Sequence, residues 1–294
     1  MNQGECERNM AITILLTAAA LCLLECVREL TRFKMTEYEI SSRGQEKKGK
    51  DLRIVFLSDL HNHVYGEGND SLVRAVKEQK PDLILIGGDM LIAKPGKPWQ
   101  AAAEFIRQLP SICPVYYANG NHEYRMKVHP QKYGNEFVKY KKYLEKNGVI
   151  FLENNSVKFE FQDVPIQIHG LEIPEKYYEK LQNNKMPAEV IRQCIGKPQK
   201  GHFQIILAHN PEYFDAYRAW GADVVLSGHL HGGVARIPGF RGVISTQGKL
   251  FPKYSGEVTL KDGAYMVVSK GLGTHTVNLR FLNMAEAVVL KIHL

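Results

Sequence analysis

The sequence predicts a layered α/β fold, because short apolar runs of branched residues alternate with helical patterns along much of the chain. Each run is followed by Gly, Asp, Asn or His, as is typical of buried central strands that end in polar loops. The 294 residues are 44% hydrophobic and 23% charged, which fits a globular protein. The predicted strands are residues 52–57, 83–86, 115–118, 205–208 and 224–226, and the predicted helices are residues 71–80, 99–109, 137–146 and 211–217.

The pattern changes from residue 149 onward, where apolar runs follow one another without a helical pattern between them. Turn-forming sequences, such as Asn154-Asn155, separate these runs. We therefore expect hairpin-like antiparallel strands in this region and similar strands in the tail. They would cover residues 149–151, 157–161, 166–169, 242–246, 265–269 and 287–292.

Residues 10–24 form an uncharged apolar stretch near the amino terminus. As a helix the stretch would span about 22 Å, less than the roughly 30 Å of a bilayer core, so it predicts a marginal membrane anchor. Glu5 and Glu7 precede it, whereas a cleaved signal peptide has a basic leader. A buried amphipathic helix is the alternative for a stretch this short.

Basic residues flank the apolar stretch unequally, with Arg8 before it and Arg28, Arg32 and Lys34 after it. The positive-inside tendency therefore places the carboxyl-terminal bulk of the chain in the cytoplasm, on a single-pass anchor in the cell membrane. The expected organisation is an anchor with its flanks at residues 1–34, a linker at residues 35–50 that becomes polar and basic from residue 43, and one domain at residues 51–294.

The formal net charge of +7 indicates a basic surface that would attract phosphates, nucleic acid or acidic lipids. The five cysteines are an odd number without a CxxC pair, which excludes a disulfide framework and a zinc knuckle. Cys113 and Cys194 are expected to be buried or half-buried thiols.

Metal-binding side chains follow all five of the predicted central strands. One such residue alone is commonly a cap or a loop residue, whereas five strand ends that each deliver donors indicate a site. Carboxylate, imidazole and amide donors form a mixed nitrogen and oxygen set that suits Mn²⁺, Fe or Zn²⁺ better than Ca²⁺. The candidates are Asp59, His61, Asp89, Asn121, His122, His209, His229 and His231.

This set resembles the signature of the calcineurin-like metallophosphoesterase superfamily, in order and without a missing block. The matching motifs are Asp59-x-His61, Gly88-Asp89, Gly120-Asn121-His122-Glu123, His209 and Gly228-His229-x-His231. The apolar amino terminus is similar to that of the bacterial membrane-associated branch, which includes UDP-2,3-diacylglucosamine pyrophosphatase-like enzymes. The resemblance implies a β-sandwich flanked by helices (αββα), with the metal site at the carboxyl-terminal ends of strands, in residues 51–294.

The resemblance also implies a role for each candidate residue. Asp59, His61 and His231 would hold one divalent metal ion, and Asp89 would bridge it to a second ion. His122 would face the substrate as the catalytic residue, by protonating the leaving oxygen or stabilising phosphoryl charge. Mn²⁺ is the expected metal, with Fe or Zn²⁺ as alternatives. The ligands implied for the second ion are Asn121, His209 and His229.

The implied activity is hydrolysis of a phosphodiester, phosphomonoester or pyrophosphate by a hydroxide that bridges the two metal ions. A membrane lipid is a possible substrate, because an anchor and a basic domain suit an amphiphile at a membrane surface. Met90 and the residues after it replace the Asp-Arg-Gly motif of Ser/Thr protein phosphatases, which disfavours that class. Three alternatives stay open: a UDP-2,3-diacylglucosamine-type pyrophosphate hydrolase, a nuclease, and a non-catalytic metal-stabilised binding module. For the main hypothesis, no dedicated nucleic-acid partner is expected.

Five further histidines have no partner at ligand spacing, and surface or loop positions are expected for them. They are His63, His129, His169, His202 and His275.

Overall fold

Two six-stranded β-sheets form the centre of the described molecule, and helices cover their outer faces. This arrangement confirms the predicted α/β fold with an αββα order of layers. The computed structural model describes residues 3–42, 51–179, 185–233, 235–237, 242–244, 248, 250–274 and 278–294. The strands are β1 (Phe33–Ser41), β2 (Leu52–Leu57), β3 (Leu83–Ile86), β4 (Val115–Ala118), β5 (Val149–Leu152), β6 (Asn155–Phe161), β7 (Val164–Leu171), β8 (Phe203–Ala208), β9 (Val224–Ser227), β10 (Val258–Lys261), β11 (Ala264–Val268) and β12 (Ala285–His293).

The first sheet has the strand order β1-β12-β2-β3-β4-β5. Strands β2 to β5 are parallel, and β12 runs antiparallel to β2 but parallel to β1. The central strands are mostly apolar because both faces of the sheet are covered. The carboxyl ends of β2, β3 and β4 therefore lie together at one edge, where their polar loops begin.

The second sheet has the strand order β10-β11-β9-β8-β7-β6. Strands β7, β8, β9 and β11 are parallel, whereas β6 and β10 pair antiparallel with their neighbours. The expected hairpin is present as β6 and β7. The expectation of an antiparallel strand at residues 149–151 is wrong, because β5 joins the first sheet parallel to β4. A helix between β4 and β5 returns the chain to the same edge of the sheet, which gives a parallel crossover.

The tail strands follow the predicted positions only in part. Strands β11 and β12 match residues 265–269 and 287–292, although β11 pairs parallel with β9. Of the expected strand at residues 242–246, the described part makes isolated bridges from Gly242 and Ile244. Its remainder lies outside the described residues.

Apolar side chains fill three layers. Phe56 and Leu85 of the first sheet meet Ile168 and Leu226 of the second between the sheets. Alternate residues of the same strands, such as Val55, face the outer helices. Each such fully buried side chain contributes about 1.5–3 kcal/mol, so strands buried on both faces anchor the loops that follow them.

Helices lie where the sequence predicts them, with shifted ends. The helix predicted at residues 211–217 starts one turn late, because Pro211–Tyr213 forms a 3-10 turn before it. The sequence does not predict the helix that begins at Asn121, because its first residues are interpreted as part of a metal-binding loop motif. The helices are α1 (Gln3–Thr31), α2 (Asp70–Glu78), α3 (Gln100–Ile106), α4 (Asn121–Val128), α5 (Pro130–Tyr133), α6 (Glu136–Lys146), α7 (Ala188–Ile195) and α8 (Phe214–Trp220).

Helix α1 extends well beyond the apolar stretch seen in the sequence. Its residues 7–31 are long and apolar enough to cross a membrane, with a mean hydropathy of 2.3 over the best 18 residues. A membrane anchor and a signal sequence both have these properties. Strand β1 follows at once and pairs with β12 over nine residues, so the chain is strand where the sequence pattern suggests the start of a linker. Charged residues alternate with apolar ones in β1, as suits an edge strand, and residues 43–50 lie outside the described residues.

Candidate active site

Five loops at the carboxyl ends of β2, β3, β4, β8 and β9 meet at one edge of the sandwich. They bring together seven of the eight side chains that the sequence singles out, although these lie as far apart in sequence as residues 59 and 231. Strands β2, β3 and β4 belong to one sheet and β8 and β9 to the other. The site therefore lies where the two sheets adjoin, as in other α/β folds with ligands at strand ends.

The first half of the site consists of Asp59, His61 and His231. One donor atom from each lies within 4.8 Å of the other two, and all three residues are buried. The Nε2 atoms of His61 and His231 are 3.1 Å apart, and Nε2 of His231 is 3.4 Å from Oδ1 of Asp59. Three donors that point at one position in this way can hold a metal ion.

The second half of the site consists of Asp89, His209 and His229, which form a second group within the same distance. Nε2 of His209 lies 3.1 Å from Oδ2 of Asp89. The same carboxylate oxygen is 3.9 Å from Nε2 of His61. Asp89 therefore adjoins both halves, as a bridging ligand must.

Asn121 lies at the start of α4 and is 8% exposed. Its side-chain oxygen Oδ1 is buried and has no hydrogen-bond partner among the described residues. An unsatisfied buried amide oxygen costs about 1–3 kcal/mol. A cation bound at this oxygen would remove that cost, so Asn121 fits a metal ligand.

Hydrogen bonds from the ring nitrogen Nδ1 to backbone carbonyl oxygens orient two of the candidate histidine ligands. Nδ1 of His231 lies 3.0 Å from the carbonyl oxygen of Gly273, and Nδ1 of His209 lies 2.7 Å from that of Gly87. A carbonyl only accepts, so Nδ1 carries the hydrogen in both rings. Each Nε2 is then the nitrogen at which a metal ion can replace a proton, as is usual in metal-binding histidines.

His122 has the opposite arrangement. The backbone N–H of Ala93 donates to Nδ1 of His122 over 2.8 Å, so this nitrogen accepts and Nε2 carries the hydrogen. Nε2 of His122 is 3.9 Å from Oδ2 of Asp89. Its N–H therefore faces the site as a hydrogen-bond donor, which suits contact with a phosphoryl or leaving oxygen rather than metal ligation.

Five candidate ligands have left-handed backbone conformations that are rare outside glycine. The values of φ are 54° at Asp59, 48° at His61, 53° at Asp89, 70° at His229 and 51° at His231. Each such residue costs about 1–3 kcal/mol and persists only where its surroundings hold it, and such residues concentrate at functional sites.

The buried carboxylates make the site attractive to cations. Burial raises the pKa of Asp59 to about 6. Burial disfavours a charged imidazole at His209, but Asp89 and Asp59 outweigh it and raise the pKa of His209 to about 10. Burial opposes charge on Asp89 as well, but His209 and His122 hold its pKa well below the usual range. The site therefore takes up positive charge.

Glu123 supports the site instead of pairing with His122. Its carboxylate accepts hydrogen bonds from the backbone N–H groups of Asp89 (2.7 Å), Met90 (2.8 Å) and Gly120 (3.1 Å). It also accepts one from the hydroxyl of Tyr117 (2.8 Å). The loops after β3 and β4 are thus fastened to each other by one buried carboxylate.

Two residues at the site, Tyr178 and Asn283, carry no signal in the sequence. The ring of Tyr178 lies beside that of His229, with centroids 5.1 Å apart. Asn283 and buried Arg280 hold the loop that contains Gly273 and the turn after His231. Polar residues in a loop are common, so only the folded chain distinguishes these from ordinary ones.

The five histidines for which surface or loop positions are expected lie outside the cluster, as far as they are described. His129 is half-buried with a partly accessible side chain that bonds Glu175, which fits the expected surface position. The expectation for His169 is wrong: it is 2% exposed in β7, where its ring packs on Trp220 and lies 2.9 Å from Oε1 of Gln204. His63 and His202 are half-buried loop residues, and His275 lies outside the described residues.

A family model described as calcineurin-like phosphoesterase matches residues 52–233. The chain belongs to this family. It is 27% identical over 281 residues to the uncharacterized metallophosphoesterase YkoQ of Bacillus subtilis, which covers 91% of this chain and 95% of YkoQ. It is 26% identical to the phosphodiesterase YaeI of Escherichia coli over 64% of this chain and 63% of YaeI. A transmembrane protein with metallophosphoesterase domain from Danio rerio is 24% identical over 95% of this chain and 62% of that protein.

The chain is therefore a metallophosphoesterase, and its family generally binds two divalent metal ions. The donor chemistry of the site fits such ions. Carboxylate oxygens and imidazole nitrogens form three overlapping groups of donors. The buried amide oxygen of Asn121, which precedes His122 at the start of α4, has no hydrogen-bond partner among the described residues. None of the four cysteines described, Cys22, Cys26, Cys113 and Cys194, belongs to a candidate metal group.

Proposed function

We propose that this chain hydrolyses a phosphodiester, phosphomonoester or pyrophosphate with two divalent metal ions, most suitably Mn²⁺. The observation that carries the proposal is the convergence of seven side chains, whose donor atoms form three overlapping groups that are each within 4.8 Å. In the proposed site, Asp59, His61 and His231 hold one ion, and Asp89 bridges to the other. Asn121, His209 and His229 complete the second ion's ligands.

When bound, the two ions would polarise the phosphoryl oxygens and activate water for attack. The chain's own contribution is to orient donors and to provide a proton. His122 is proposed as the catalytic residue, because its Nδ1 accepts from Ala93 and its Nε2–H is directed to the site. A donor placed in this way can stabilise phosphoryl charge or protonate the leaving oxygen.

We also propose that the substrate is lipid-linked and that the chain acts at the cell membrane, with α1 as a single-pass anchor. The apolar length of α1 supports an anchor. Arg28, Arg32 and Lys34 follow the apolar stretch and support a cytoplasmic position for the catalytic domain. The cleavage of a UDP-2,3-diacylglucosamine-type pyrophosphate is the specific form of this proposal.

The test uses the full chain in detergent micelles, with Mn²⁺ and separately with Fe²⁺ and Zn²⁺. The substrates are bis-p-nitrophenyl phosphate, p-nitrophenyl phosphate, a pyrophosphate-linked lipid nucleotide and plasmid DNA. We expect hydrolysis of a phosphoester that EDTA abolishes, and preference for the lipid over DNA. Loss of all hydrolysis under every metal would contradict the proposal, and DNA cleavage with no lipid hydrolysis would favour a nuclease.

A matched pair of variants separates catalysis from folding. Asp89→Asn removes the proposed bridging charge and is expected to abolish hydrolysis. Asp215→Asn changes an exposed carboxylate on α8 that pairs with Lys261 and is expected to leave hydrolysis intact. If Asp89→Asn left every function of the chain unchanged, the remaining alternative of a non-catalytic binding module would be preferred.

A further inference from the structure

The last turn of α1 contacts the catalytic domain through a buried carboxylate. Most of α1 is exposed, for example Leu23 at 68%, whereas Glu29 is 2% exposed. Its Oε2 accepts a hydrogen bond from the backbone N–H of Asn283 over 2.6 Å. A buried carboxylate is costly unless it is bonded, so this contact fixes the end of α1 against the segment that precedes β12.

Asn283 in turn holds the turn that follows His231. Its side-chain amide donates to the carbonyl oxygen of His231 over 2.7 Å and also to that of Gly233. The fit is close, because a Cβ added at Gly232 would lie 2.3 Å from Oδ1 of Asn283. Asn283 thus links Glu29 to His231, because its backbone N–H binds the Glu29 carboxylate and its side-chain amide binds the carbonyl oxygen of His231.

The turn after His231 needs such support. Its three successive residues have left-handed backbones, with φ of 51° at His231, 70° at Gly232 and 79° at Gly233. A run of this kind is held by its surroundings and not by local preference. The amide of Asn283 binds the carbonyl groups at both ends of the run.

The other attachment of His231 depends on the same segment. Arg280 is 2% exposed and donates to the carbonyl oxygens of Gly273 (2.8 Å) and Asn283 (3.0 Å). Gly273 is the residue whose carbonyl orients the ring of His231. Both the backbone and the ring of His231 are therefore held by a segment that Glu29 fastens from outside the catalytic domain.

We propose that Glu29 is a positioning residue for His231, so that helix α1 supports the first half of the metal site in addition to anchoring the chain. This inference rests on the proposed function for the role of His231. The second half of the site contacts neither Glu29 nor Asn283 in the bonds described, and its ligands are expected to be independent of α1.

The experiment measures Mn²⁺ binding to the full chain in detergent by isothermal titration, in the wild type and in variants of Glu29. Glu29→Ala removes the acceptor, and we expect one of the two binding steps to weaken about tenfold while the other stays unchanged. Glu29→Gln keeps an oxygen acceptor and is expected to stay within twofold of the wild type. Glu29→Asp shortens the side chain and provides the test if Glu29→Ala does not fold.

Glu7→Ala is the matched control, because Glu7 is an exposed carboxylate near the opposite end of α1. Hydrogen exchange of the peptide at residues 229–233 is followed in the same proteins without metal. We expect faster exchange in Glu29→Ala and wild-type exchange in Glu29→Gln and Glu7→Ala.

The outcomes separate this inference from the proposed function. Unchanged Mn²⁺ binding together with unchanged exchange in Glu29→Ala would overturn the inference. It would also be overturned if both binding steps weakened, and weakened by the same factor in Glu29→Ala as in Glu29→Gln. If the wild type bound no metal at all, the proposed function would fail. Hydrogen exchange would then still decide whether Glu29 holds the turn after His231.

Discussion

The two halves of the site differ in what holds their ligands. His209 and Asp89 of the second half are supported from within residues 52–233, by the carbonyl of Gly87 and the carboxylate of Glu123. His231 of the first half is supported from outside this range, by residues 273–283 and through them by α1. The ligands of a metal site and the groups that position them can thus come from different parts of a chain.

The largest effect is expected from Asp89→Asn, because it affects both halves. The substitution keeps the shape of the side chain but removes the negative charge that would bridge the two ions. We expect kcat/KM to fall at least about a thousandfold, which corresponds to about 4 kcal/mol of transition-state stabilisation. The measurement is hydrolysis of bis-p-nitrophenyl phosphate together with metal content. Retention of both ions and of most activity would contradict the assignment.

His122→Gln is expected to separate chemistry from metal binding. The tautomer of His122 makes it a donor and not a ligand, so we expect kcat to fall about 10²–10⁴-fold while the metal content stays unchanged. His209→Gln serves as the contrast, because His209 has its Nδ1 on a carbonyl and is expected to lose metal. Equal loss of metal in both variants would contradict the distinction drawn from their ring nitrogens.

Gly228→Ala tests the position of Asp59 in the first half. A Cβ at Gly228 would lie 2.1 Å from Oδ2 of Asp59, so the carboxylate must move. We expect one weakened Mn²⁺ binding step and a loss of about 1–3 kcal/mol in the free energy of unfolding. Gly4→Ala is the control, because nothing lies within 4 Å of a Cβ there. Two unchanged binding steps would show that Asp59 does not ligate.

The smallest effect concerns His169, a buried histidine away from both halves. Burial lowers its pKa below the ordinary value of about 6.5, so the unfolded chain binds the proton more readily than the folded one. Folding stability that depends on this residue is therefore present above about pH 6.5 and is lost as the pH falls below it. We expect His169→Gln to show a smaller drop in Tm between pH 7 and pH 5, in EDTA, than the wild type. Parallel Tm curves would contradict this account.

The sequence predicts the ligands better than their supports for a physical reason. Asp59 and Asp89 directly follow apolar runs that a short stretch of sequence is enough to identify as strands. The fold class then predicts that the residues at these strand ends converge. The role of Asn283 depends on a contact with a residue 254 positions away, Glu29, which no local pattern encodes. Strand β1 was not predicted for a similar reason. Its charged residues are compatible with an edge strand, but the sequence does not show that β12 lies beside it.

Anomalous diffraction from a crystal of the full chain soaked in Mn²⁺ tests the central claim most directly. The account predicts two peaks that share Asp89, each with its ligand atoms at about 2.0–2.3 Å. One peak lies among Asp59, His61 and His231, and the other lies beside Asn121 and the two remaining histidines, His209 and His229. A well-ordered crystal with no peak in this cleft, or with the donor atoms turned away from the peaks, would contradict it.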